Sequence, residues 1–527
     1  MNTNAPRLLA FATALLMGTS AQAAVIIGSG KTRHMSCSAG VCTPTSKKAT
    51  LNAGDLAGML ASGDVIVTTG SGAVSIAVTD SFSWTSTHRL TLGAQQSVSF
   101  RAPVEVAGSG AVTITSGAGA APVFFPGGSV DFWDTSSSLI VNGAPYTLVK
   151  DIHTLSADVA ANQSGLYALA GNYDASVDGG YFAPPLNTLS GTLEGLGHTI
   201  TKFRARNRAT GIAFIVTIDT QGVVRNLDFT RAQVAATKHF AASTLALTND
   251  GLISAVNVEA KVNSQSGESP LAGLVIENDG TIEGCSVSGS VGSDRANIPA
   301  AGLVFDNKGL VTNSHASSAV RGVRVAGFAY ANQAGATISL SSATGSVSAV
   351  GHVEQGNLTG GFVISNDGSI DRSFATGDVS GGSDASGYAP FAGGFVTYQG
   401  NANATVTNSY ATGSVRITGQ GLVGGFTYDS SESALTSSWS SGAVSAPNAG
   451  GAQGFMGSPS TSASNDYWDT DTAGVSTGCD GSSCPGVTGL TTAQFQSGLP
   501  AGFDPAVWAE SPGVNNGFPY LIDNPPQ

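Results

Sequence analysis

One phrase is written repeatedly along residues 272–455, and it limits the chain to architectures built from repeats. Ala272-Gly273-Leu274-Val275-Ile276-Glu277-Asn278-Asp279-Gly280-Thr281-Ile282 is echoed by Ala301-Gly302-Leu303-Val304-Phe305-Asp306-Asn307-Lys308-Gly309-Leu310-Val311 and by Gly361-Phe362-Val363-Ile364-Ser365-Asn366-Asp367-Gly368-Ser369-Ile370. The Gly-Leu or Gly-Phe pair begins at Gly273, Gly302, Gly327, Gly361, Gly394, Gly425 and Gly454, in steps of 29, 25, 34, 33, 31 and 29 residues. A period in that range marks stacked supersecondary units. A second phrase closes each unit, clearest in Asn408-Ser409-Tyr410-Ala411-Thr412-Gly413-Ser414-Val415.

Aligning the copies produces three apolar columns: Leu274/Leu303/Phe328/Phe362/Phe395/Phe426/Phe455, Ile282/Val311/Ile338/Ile370/Val406/Leu435 and Val291/Val320/Val347/Val379/Val415/Val444. A unit of three short strands cannot bury its own apolar face, but stacking on the next unit sets like residues over like. The fold class that follows is all-β: a right-handed parallel β-helix with coils of about 30 residues and a C-terminal cap. Asn278, Asn307 and Asn366, each two residues before a glycine, are expected to turn the chain by tolerating positive φ. Gly, Ser, Thr and β-branched residues dominate, so helical repeats are disfavoured. The exception is a short helix expected around His153–Asn162, with Leu155, Val159 and Ala160 inward.

Met1–Ala23 reads as a secretory signal: Arg7, the apolar run Leu8–Met17, then Ala21-Gln22-Ala23 as a small-x-small cleavage site. The expected organisation continues with an irregular extension over 24–50, a β-solenoid region over 51–201, the repeat solenoid over 202–460 and a capping region over 461–527. In that last region Trp468, Phe503, Trp508, Phe518 and Tyr520 are expected to cover the open end of the final coil. Charged residues make up only 11% of the chain and the formal charge is −13, which argues against nucleic acid or anionic lipid as partners. No later apolar run is long enough for a membrane helix.

The phrase pair Gly-Leu/Phe-Val…Asn-x-Gly-x-Ile and Asn-Ser-Tyr-Ala-Thr-Gly-x-Val resembles the GLUG repeat of bacterial surface proteins, found in filamentous-haemagglutinin-like adhesins and in some IgA-peptidase precursors. The stretch Leu189-Ser190-Gly191-Thr192-Leu193-Glu194-Gly195-Leu196-Gly197-His198-Thr199-Ile200 is similar to the segment preceding those repeats, and Tyr467-Trp468-Asp469…Asn516-Gly517-Phe518-Pro519-Tyr520-Leu521 to the tail that follows. The resemblance implies a secreted or cell-surface adhesin-like protein, without enzymatic activity or cofactor. Its partners would be a host or bacterial surface glycan or protein, together with an outer-membrane secretion or anchoring partner.

Cys37 and Cys42, and likewise Cys479 and Cys484, form C-x4-C pairs that suit short disulfides in an oxidising compartment, with metal binding as the sharper alternative. Cys285 stands where other copies carry Ser314, Ser341, Ser373, Ser409 and Ser438, which predicts a small buried side chain. Gly28-Ser29-Gly30-Lys31-Thr32 and Gly474-Val475-Ser476-Thr477-Gly478 lack the strand-loop-helix setting that a phosphate loop or a nucleophile elbow needs. His198 is read as a packed histidine. Asp371, Arg372, Asp378, Asp228 and Arg225 are the candidates for a second reading, a lyase or glycosidase groove on the same scaffold. Asp466, Asp469 and Asp471 are candidates for calcium. Phe374, Tyr410 and Trp439 share one column and form either a surface-binding platform or packing between coils. A filament or matrix component is the third reading.

Overall fold

Runs of three to five residues that alternate apolar and polar send every second side chain inward. Stacking such runs in parallel builds most of the described chain. A computed structural model describes residues 23–526 except 208–209, 238, 265–267, 294–297, 351–356, 383–388, 431–432, 449, 459, 461 and 482; the expected signal segment lies outside the described residues. The protein is a β-solenoid of about 14 turns with about 29 residues per turn. Its residues divide into two compact units.

The first unit contains the described residues up to Ala175 together with Leu189–Thr201 and Gly222–Asp228. Ala24–Gly28, expected to be irregular, is instead a full rung between Lys48–Asn52 and Ser75–Val78, because Val25 and Ile27 supply two inward apolar side chains. A second ladder stacks Phe82–Trp84, Pro103–Val106 and Ser129–Phe132. A third stacks Val65–Thr68, Arg89–Gly93, Ala111–Thr115 and Ser138–Val141. The expected helix spans Ile152–Ala161, capped by the Asp151 carboxylate, with Leu155 and Val159 buried but Ala160 exposed. A further helix, Ala53–Leu60, was not expected. Asn52 caps it by accepting a hydrogen bond from the Asp55 amide, and Leu56 and Leu60 point into the core.

The second unit holds the repeats, and all three apolar columns run in the expected register. Ile282 pairs with Val311, then Ile338, Ile370, Val406 and Leu435. Val291 pairs with Val320 and the series ends at Val444. The Phe328, Phe362, Phe395, Phe426 and Phe455 rings stack with centroids 4.6, 4.7, 4.9 and 4.9 Å apart. The glycine before each of these residues is required by close approach: a Cβ on Gly327 would collide with the carbonyl oxygen of Gly361 one coil on.

The asparagines play a different part from the one expected. Neither Asn278, Asn307 and Asn366 nor the glycines after them take positive φ. The asparagines are fully buried and end strands, and each amide donates to the next: Asn249 to Asn278 at 2.7 Å, then Asn307, Asn332 and Asn366 at 2.8 Å, and Gln399 at 3.3 Å. The positive-φ corner lies one residue before the serine column, at Gly284, Asn313, Leu340, Arg372, Asn408, Ser437 and Asn465. Replacing Asn307 by Ala orphans buried amide groups on both sides, and a loss of about 2 kcal/mol is expected from the urea midpoint of the repeat transition. Leu340 is a bulky residue held at φ +50°. Leu340→Asn is expected to raise that same midpoint by about 1 kcal/mol, since Asn enters the left-handed region readily.

Candidate functional site

The column Phe374, Tyr410 and Trp439 is fully buried, so it is not a surface platform. The rings stack at 4.9 and 5.0 Å, and the C-terminal segment lies over them along the side of the coils. Phe518 stacks on Trp439 at 5.3 Å, and Trp508 approaches Tyr410 at 6.2 Å and donates its indole N–H to Asn408. Further along, the Asn524 amide donates to the carbonyls of Ser341 and Arg372. Phe503, Trp508 and Phe518 thus seal a lateral face rather than the coil end. The ladder of Trp439–Ser440 and Asp466–Asp469 is continued by one further parallel rung, Val487–Leu490.

Other nominated residues also serve the stack. Asp371 accepts from Arg372, Thr407 and Asn408, while Asp378 accepts from the amide and hydroxyl of Ser414 in the next coil. Arg225 turns to the buried Glu194 at 2.6 Å and to Tyr146. Burial pushes the Glu194 carboxyl up, and Arg225 draws it partly back. His198 is buried against the Val130 carbonyl, and burial lowers its pKa. Thr32 of the glycine-rich stretch holds Asp55 at the first helix, and Thr477 of the other stretch accepts from the Gly454 amide through its carbonyl.

Both cysteine pairs are disulfides, Cys37–Cys42 and Cys479–Cys484. Cys285 is buried, and burial pushes its thiol up to about 12. Its backbone amide donates to the Ser314 hydroxyl oxygen, the first link in a ladder through Ser341, Ser373, Ser409 and Ser438. The ladder ends at Asp466, which accepts from the Ser438 and Ser464 amides. Asp469 and Asp471 face Thr492 instead, so the three carboxylates do not converge on one point.

Two surface features were not foreseen. One is a set of outward hydroxyls on the two flanks of the Ile282 column, where Ser339 donates to Thr312 on one flank and Thr405 to Ser369 on the other, both at 3.0 Å. The other is a cleft of about 470 Å³ on the second unit. Its floor is the ladder of Arg204–Arg206 on Val223–Ala236, with Arg204 opposite Gln233 and Arg206 opposite Ala235. Tyr181 extends that ladder by one rung, its amide donating to the Arg204 carbonyl and its carbonyl accepting from the Arg206 amide. Lys261, Gln233 and Asn263 line one side and Phe182, 79% exposed, the other. The signal was present as Arg204-Ala205-Arg206: basic residues two apart share one face of a strand.

Comparison with protein-family models finds no match, and neither does comparison with curated proteins.

Asp466 gives a pH test of the serine ladder. Burial raises its pKa well above the ordinary carboxylate value, so the folded chain keeps that proton to higher pH than the unfolded chain does. Unfolding between the two values releases a proton, and stability therefore falls as pH rises through that window. Asp466→Ser continues the serine column and removes the ionisation. Its urea midpoint is expected to gain on wild type steadily from acid to neutral pH, whereas a constant difference contradicts the assignment.

Proposed function

We propose that the protein is an exported, non-enzymatic, adhesin-like β-solenoid that binds its ligand on the outer faces of its coils, at or near the cell surface. The observation that carries this reading is the cleft, where Arg204, Arg206, Lys261 and the exposed Phe182 ring converge on the outside of a rigid ladder. Binding groups set on paired strands are held in place by the backbone hydrogen bonds beneath them. The outward hydroxyls add polar surface on several coils, suited to a ligand that is itself repetitive, with weak contacts summed by avidity. The two disulfides favour an oxidising compartment, in keeping with the expected signal segment. Asp371, Arg372, Asp378 and Arg225, nominated for a hydrolytic groove, are engaged in bonds between coils or with the C-terminal segment, which favours a binding role over the enzymatic one. The resemblance to GLUG-repeat surface proteins points the same way.

The test combines a glycan array and a whole-cell adhesion assay with a polysaccharide turnover panel. Retention of a glycan or cell surface without release of reducing ends or unsaturated products is expected, together with weaker adhesion of a deletion strain. Catalytic turnover of any polysaccharide in the panel contradicts the proposal.

A further inference from the structure

The cleft on the second unit has a charge opposite to that of the chain. The protein carries a formal charge of −13, with 35 acidic against 22 Lys and Arg residues, yet the side chains lining the cleft include three cations and no carboxylate. Arg204 and Lys261 are exposed, and among the described residues neither is engaged in an ion pair. Of the acidic side chains close by in sequence, Asp178 accepts the Tyr181 hydroxyl, and Glu259, two residues before Lys261 on the same strand, accepts from the Arg231 amide. Cations gathered on an acidic protein favour an anionic unit at that place, while the acidic remainder of the surface disfavours a densely charged ligand spread over many coils, such as nucleic acid.

The other lining groups narrow the class of anion. Gln233 and Asn263 present side-chain amides, which donate to and accept from hydroxyls. Phe182 presents an exposed ring that can lie against the C–H face of a sugar. An inorganic anion has no use for the ring, and an apolar acid has no use for the amides. Space is provided by Gly180, which sits in the rung beside Arg204: an added Cβ there would come 4.0 Å from the Arg204 Cβ, with nothing closer than 3.8 Å. The volume, about 470 Å³, falls within the ordinary range for small-molecule pockets and suits one or two sugar rings.

We infer that this cleft is a binding site for an acidic sugar unit, a carboxylated or sulfated residue of a polysaccharide, with Arg204 and Lys261 on the anion, Gln233 and Asn263 on hydroxyls, and Phe182 against the ring face. The inference rests on the binding function proposed above and names its ligand class. Guanidinium groups meet carboxylate and sulfate oxygens through paired N–H donors, so loss of the charged groups removes the strongest contacts.

Titration calorimetry on the full chain tests it with three probes: a galacturonate tetramer, a sulfated oligosaccharide and a neutral galactose tetramer. Binding of one or both acidic probes is expected, at least about tenfold tighter than the neutral one and weakened by added salt. Which acidic probe binds identifies carboxylate or sulfate as the anion. The double variant Arg204→Ser with Lys261→Ser, and separately Gly180→Leu, which fills the cleft without touching its charge, are each expected to weaken binding about tenfold or more. All three positions lie outside the core, and an unchanged far-UV spectrum verifies the fold. Equal affinity for the neutral tetramer, no affinity for either acidic probe, or full affinity in both variants overturns the inference. Adhesion that persists in the Arg204→Ser, Lys261→Ser variant while acidic sugars fail to bind separates failure of this site from failure of the broader binding function.

Discussion

Parallel stacking forces each coil to copy the one below it. A rung in a parallel ladder places a side chain directly over its counterpart about 4.8 Å away, so a buried position must hold something that packs or bonds with itself. The repeats meet this demand in three ways. Aliphatic columns such as Ile282 to Leu435 need only shape, and they tolerate exchange among Ile, Val and Leu. Phenyl rings stack face over face from Phe328 to Phe455. Polar positions obey the stricter rule, because a buried group without a partner costs about 1–3 kcal/mol, and only a side chain that both donates and accepts can continue a ladder indefinitely. Asn from position 249 to 366 is such a group, and Gln399 is its one-methylene extension.

Interruptions of self-complementarity mark where the stack ends or meets other chain. Asp466 offers two carboxyl oxygens, so it suits the close of the serine ladder, where two backbone amides point at it. The Phe374, Tyr410 and Trp439 column projects sideways, and the tail covers it with rings of its own. Covering that face also removes the aromatic groups that looked most suited to a ligand, and the cationic cleft beside Tyr181 becomes the place where the surface is least repetitive.

The parts of this fold that were readable from sequence are those with long recurrence. The three columns and the Cys285 environment followed from spacing alone, because each copy corrects the others. The asparagines were located but misassigned. Residue type suggested a left-handed turn, whereas their near-invariance within the chain was the better signal: a turn would accept Asp or Gly as readily, and a buried amide ladder does not. The true corner carries Asn, Leu, Arg, Ser or Gly, a mixture with no residue signature, and so could not be read. The helix Ala53–Leu60 was missed because its eight residues hold only three buried side chains and lie among strands of similar composition. The cleft escaped notice because Arg204, Arg206 and Lys261 precede the phrase repeated over residues 272–455, so that strand alternation and ladder pairing, not recurrence, place them together.

The self-copying stack is tested most directly by removing one coil. Deletion of residues 274–302 joins Gly273 to Leu303 and removes 29 residues, the shift that sets Val275 over Val304, so every column on either side stays in register. The resulting chain is expected to fold, with β-sheet circular dichroism per residue unchanged and a cooperative urea transition retained. A control lacking residues 274–288 puts each column out of register and is expected to lose that transition. If both deletions fold equally well, or the whole-coil deletion collapses like the control, stacking of like on like is not what holds these repeats together.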